Sequence, residues 1–183
     1  MRPVQELRDA AIGWVDLAGN RPSGDRFNAS RAGLVTMLGW YVALVLVTLV
    51  IQSAARSGAL PHYGDIFVSV VLNALPMLAV LLITRLTVRF LQPAVGALAL
   101  MVPAGYALVF ILAIGLPLSL FGSGMFFAAL HGILGYMLYR LGRNVGKFGI
   151  GVSIGFAVLN VLLLVAIPIG LYMLFVPELP TPD

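Results

Sequence analysis

The hydrophobic pattern changes character about thirty residues into the chain. Before that point apolar side chains return every three or four positions, at Val4, Leu7, Ala11, Trp14 and Ala18. Gln5, Glu6, Arg8, Asp9 and Asp16 fall mostly on the opposite face. That spacing predicts an amphipathic helix over residues 3–18. Such a helix either lies in the headgroup plane, with Trp14 as its interfacial anchor, or packs on the rest of the molecule. "GNRPSGDRFNAS", residues 19–30, reads as a loop, and Asn28 or Ser30 can cap the helix that follows.

After residue 30 the alternation gives way to five long apolar runs, at about 33–51, 66–83, 95–116, 121–139 and 148–175. About 20 residues rising 1.5 Å each cross a ~30 Å hydrocarbon core, so each run is expected to span a membrane. The second and fourth are on the short side. The fifth is long enough to tilt or bend, and Pro168 offers the place. Continuous runs such as "ALVLVTLVI" exclude the ten-residue alternating segments of a β-barrel. The expected fold class is therefore all-α, a polytopic bundle of five transmembrane helices over 31–176. An amphipathic helix and basic linker (1–30) precede it, and a tail (177–183) follows.

Composition agrees. The chain is 61% hydrophobic and 10% charged, with mean hydropathy +1.03, against about 25% charged residues in soluble domains. No cysteine is present, which excludes disulfides, thiolate catalysis and cysteine-ligated metals. No short apolar core near the start marks a cleavable signal. Arginine outnumbers lysine ten to one among abundant Ala, Gly, Leu and Val, the usage of a GC-rich bacterial genome. A bacterial inner membrane is the expected location.

Charge adds an orientation. Arg2, Arg8, Arg21, Arg26 and Arg31 precede the first run, Arg85 and Arg89 end the second, and Arg140, Arg143 and Lys147 end the fourth. Ten of the eleven basic residues thus share one side, with only Arg56 opposite. Basic residues stay cytoplasmic, so the N-terminus is expected inside and the C-terminus outside. The "NAS" acceptor pattern at 28–30 then lies on the cytoplasmic side. Trp14, Arg21, Arg26, Arg31, Arg140, Arg143 and Lys147 are the expected contacts with anionic headgroups at the membrane surface.

Chemistry-bearing side chains within the runs are few. Counting inward from the expected ends, His131, Asn73, Asn160 and Tyr106 lie about 15, 10, 18 and 16 Å deep, in one layer near the midplane. Polar groups in hydrocarbon should face the interior and bond one another. They are either interhelical glue or a ligand or proton site, and the residues alone favour glue. No carboxylate lies inside any run, and Asp65 sits at the outer mouth of the second. Pro76, Pro103, Pro117 and Pro168 interrupt runs and free upstream carbonyls, as in broken transporter helices, although membrane helices also simply tolerate proline.

"GVSIG", residues 151–155, mimics a nucleophile elbow at Ser153, but it lies in a helical run, where that motif has no strand before it. As Gly151-x-x-x-Gly155 it predicts a close-packed helix face, with Gly142-x-x-x-Gly146 just ahead. "FGSG" at 121–124 fits an outer hairpin turn. His62, Tyr63 and Asp65 in the outer loop are too few for a metal site. "VLNALPMLAVLL" (71–82) and "VLNVLLLVAIPI" (158–169) share VLN and a later proline on oppositely directed runs, which chance explains as well as an inverted repeat.

The layout of a cytoplasmic preamble "VQELRDAAIGWVDLAG", a basic linker entering "RFNASRAGLVTMLGW", five runs and an external tail resembles bacterial relatives of the Yip1-type five-span family. That resemblance covers the whole chain and implies a non-enzymatic, membrane-organising or trafficking-type role. No functional residue carries over from it. The expectation is an accessory protein without cofactor, metal site or nucleic-acid partner, working on the bilayer and on another membrane protein. The rival is a small-solute, ion or proton carrier using the polar layer; an intramembrane hydrolase is the remote third.

Overall fold

A computed structural model of the protein describes residues 3–21, 24–57, 60–91, 95–119 and 124–175. All regular elements among them are helical: α1 (Pro3–Ala18), α2 (Arg31–Ser57), α3 (Tyr63–Leu91), α4 (Ala97–Ser119), α5 (Gly124–Asn144) and α6 (Ile150–Phe175), with a 3-10 turn at Gly24–Arg26. Four carry stretches long and apolar enough to cross a membrane, at Arg31–Ala55, Ile66–Leu91, Ala97–Leu118 and Ile150–Ile167. His131, Tyr136, Tyr139 and Arg140 dilute the apolar run of α5.

The helices overrun most of the expected ends. α3 continues past residue 83 to Leu91 and carries Arg85 and Arg89 within its last two turns. Arginine is a good helix former whose apolar stem can lie along a helix while its charge reaches water, so charge alone does not stop the coil. Pro76 lies within α3, and Pro103 and Pro117 within α4, without ending either helix. α6 likewise runs on past residue 168. Phe121–Ser123 of the expected outer turn and the tail 177–183 lie outside the described residues.

α4 is the central helix. It packs against α1, α2, α3 and α5, and α6 closes the far side against α3 and α5. Residues 102–109 of α4 are all buried. Close approach of α2 to α4 depends on Gly105, where a side chain would run into Met37. Ser30 accepts the Gly33 amide at 3.1 Å and caps α2. Gly33 admits no Cβ, because one would strike the carbonyl of Asn28.

α1 is rotated from its expected face. Glu6, Ala10, Gly13, Trp14 and Leu17 are buried, while Val4 is 67% exposed. Of the expected stripe, only Trp14 is fully buried. The helix docks through its small residues because the Phe27 ring lies over Gly13, 2.9 Å from where a Cβ would sit. Glu6 tolerates burial because Asn28 Nδ2 donates to it at 2.7 Å.

Candidate functional site

Trp14 is not a membrane-surface anchor. It is 4% exposed, meets Phe27 edge-on at 5.9 Å between ring centroids, and donates its indole N–H to the Pro103 carbonyl at 3.2 Å. An indole buried to this extent holds α1 on α4 and has no ring face left for lipid.

Two of the expected surface arginines, both half-buried, are engaged within the fold. Arg140 donates from Nε to the Leu17 carbonyl at 3.0 Å and from Nη2 to Asn20 Oδ1 at 2.7 Å. Asn20 has φ 61°, and Arg21 N donates to Asp16 O at 2.8 Å. α1 thus ends in a Schellman turn, whose last carbonyls keep a free lone pair and, with the helix dipole, attract a cation. Tyr136 Oη donates to Ala18 O at 3.3 Å, and Trp40 Nε1 to Pro3 O at 3.2 Å. Arg143 donates to the Phe148 carbonyl at 2.6 Å and closes the α5–α6 turn. Arg26 pairs with Asp16 at 3.1 Å. Arg21, Arg31 and Lys147 are exposed, as are Arg85 and Arg89, which the expected surface set left out.

The four mid-membrane polar residues do not form one site. Asn73 Nδ2 donates to Ser69 O at 2.8 Å and Asn160 Nδ2 to Phe156 O at 2.8 Å, each on its own helix. An amide that turns back on its own helix satisfies its donor without a partner across the bundle. Tyr106 and Asn160 are fully buried, and Tyr106 Oη and Asn160 Oδ1 have no hydrogen-bond partner among the described residues.

Asn73 and His131 do share a cleft. It measures about 280 Å³, draws walls from all five long helices, and includes Tyr41, Val45, Thr48 and Gln52 of α2 and Ser69 and Pro76 of α3. Tyr106 and Asn160 are not among its lining residues. Tyr41, outside the expected layer, donates across to the Asn73 backbone carbonyl at 2.8 Å. Tyr41, Thr48, Gln52 and Ser69 went unnoticed in the sequence. Positions 41, 45, 48 and 52 fall at i, i+4, i+7 and i+11, one helical face, and that period was the available signal.

Gly151 and Gly155 do not form a close-packed face. A Cβ at either would meet nothing within 4 Å. Gly155 lines a groove between α3 and α6. The tight approach of α5 and α6 is at Gly142 instead, where a Cβ would sit 3.2 Å from Ser153 Oγ. Ser153 is fully buried within α6 and does not line the His131 cleft, so the two are not arranged as nucleophile and base. Among the described residues, no three His, Asp or Glu side chains group as a metal site.

These features define a class: an all-helical protein with four helices able to cross a membrane and an N-terminal helix tied to their bundle. No protein family, curated protein or solved structure matches the chain.

Proposed function

We propose that the chain is a five-span integral membrane protein with its N-terminus in the cytoplasm, acting without catalysis as an accessory or organising protein. α5 is the fifth span on this reading. Its 21 residues reach about 31 Å, and it packs along α4 and α6, which both carry spanning stretches. The basic bias assigns α1 and the α5–α6 turn to the cytoplasmic side of a bacterial inner membrane. The partners are anionic headgroups and a second membrane protein, in a role of the kind the Yip1-type layout implies.

The observation that carries this reading is the tethering of α1. Hydrogen bonds from Trp14, Trp40, Tyr136 and Arg140 tie α1 to α2, α4 and α5. α4 is buried without a break over residues 102–109, level with the Trp14 contact at Pro103. A fixed surface suits docking, whereas alternating access would require that end to open. The test uses the absence of native cysteine. Ala18→Cys and Tyr136→Cys, joined by a short bis-maleimide, should leave the chain in the same assembly on native electrophoresis of gently solubilised membranes. A lone monomer in its micelle, or solute flux that the cross-link abolishes, would overturn the reading.

The cleft supports a second reading, a small-solute or proton carrier working through Asn73 and His131. His131 lines the cleft, so His131→Gln should fold normally and abolish the flux in proteoliposomes. Flux unchanged by that substitution, or no flux from the native chain, removes the carrier.

A further inference from the structure

A second cavity, of about 390 Å³, opens between the last turns of α3 and the first turns of α6. Ile83, Leu86 and Phe90 line one wall, Val152, Gly155 and Leu159 the other. Apart from the hydroxyl of Thr87, its lining side chains are apolar. The absence of a side chain at Gly155 keeps it open, since a Cβ there would meet no atom within 4 Å.

The cavity's length selects its occupant. Its α6 wall, from Val152 to Leu163, rises about 17 Å, close to half of a ~30 Å hydrocarbon core. A partner helix crossing the membrane would need a seam along the whole core. A single acyl chain in one leaflet needs about this much.

Charge at the mouth selects the headgroup. Arg85 and Arg89 immediately precede the groove residues Leu86 and Phe90, and Lys147 lies five positions before Val152. All three are exposed. Their charged groups make no hydrogen bond or ion pair within the described residues, whereas Arg140 and Arg143 are both engaged. No acid occurs anywhere between Ile66 and Pro177. Apolar wall and uncompensated cations therefore share the last turns of α3 and the turn that enters α6.

We propose that the α3–α6 groove binds an anionic phospholipid, one acyl chain lying over Gly155 and the phosphate held by Arg85, Arg89 and Lys147. The proposal rests on α3 and α6 crossing the membrane and is independent of whether the protein organises or carries.

The full-length chain, reconstituted in phosphatidylcholine vesicles with trace spin-labelled lipid, tests it. Each juxtamembrane cation favours an anionic headgroup by roughly fivefold. Motionally restricted phosphatidylglycerol should therefore exceed restricted phosphatidylcholine by at least that ratio. Arg85→Gln, Arg89→Gln and Lys147→Gln together should bring the ratio close to one. Gly155→Leu, at a position with room for a side chain, should fold normally and lose the restricted phosphatidylglycerol. Equal association of the two lipids with the native chain would overturn the proposal. So would a preference that survives either the removal of all three charges or Gly155→Leu. A dimer abolished by Gly155→Leu would also overturn it, by assigning the groove to a second copy.

Discussion

Arg140 and Arg143 on α5 and Arg85 and Arg89 on α3 lie in the last turns of their helices, yet they have different fates. The α5 pair turns onto backbone carbonyls at Leu17 and Phe148. The α3 pair is exposed and bonded to nothing within the described residues. A count of basic residues near a membrane treats the four alike. What separates them is whether a backbone carbonyl outside the regular helical ladder lies within reach, because a buried or half-buried carbonyl gains much more from a guanidinium than a solvated one does. The first pair belongs to the fold and the second to the surface.

The strongest way to break that distinction is to undock α1. Trp14→Ala removes a buried indole and its bond to Pro103, and should lower stability by about 3–5 kcal/mol. Thermal unfolding in detergent reads the loss, and residues 3–18 should become protease-sensitive. Next comes the arginine contrast itself. Arg140→Ala should cost about 1.5–3 kcal/mol through lost charged hydrogen bonds, against no more than about 0.5 kcal/mol for the exposed Arg89→Ala. Equal losses would abolish the division. The glycines extend it at similar or smaller size. Gly105→Ala drives a methyl group into Met37 and should cost about 1–3 kcal/mol. Gly151→Ala, facing open space inside a helix, should be neutral or stabilising by up to about 1 kcal/mol, and a clear loss would show that α6 packs more tightly there than its geometry implies.

The helices themselves were legible, since runs such as 150–167 have no other stable form in lipid. Their faces were less so. α1 presents Ala10 and Gly13 inward because Phe27 crosses it, and no periodicity within 3–18 reports a ring from residue 27. The Gly151–Gly155 spacing is a genuine packing pattern, but it packs only if a neighbouring helix comes close, and both positions face open space. Depth along a helix placed Asn73 and His131 near the same layer, and they do share a cleft. Depth carries no rotation, however, and rotation excludes Tyr106 and Asn160. Arg85 and Arg89 were read as the end of a span because charge was taken to end hydrophobic helices, while α3 continues beneath them.

The docking of α1 also has an order in time. Trp14 waits for Pro103, 89 positions later, and the Leu17 carbonyl waits for Arg140, 123 positions later. At roughly 5–20 residues per second of synthesis, that second interval lasts on the order of 6–25 s. Through it α1 has only Phe27 and Trp40 to pack against, because the rest of its seat is assembled from α4 and α5. Its settling is therefore among the last events of folding, and a seated α1 marks a chain whose α5 has already joined the bundle.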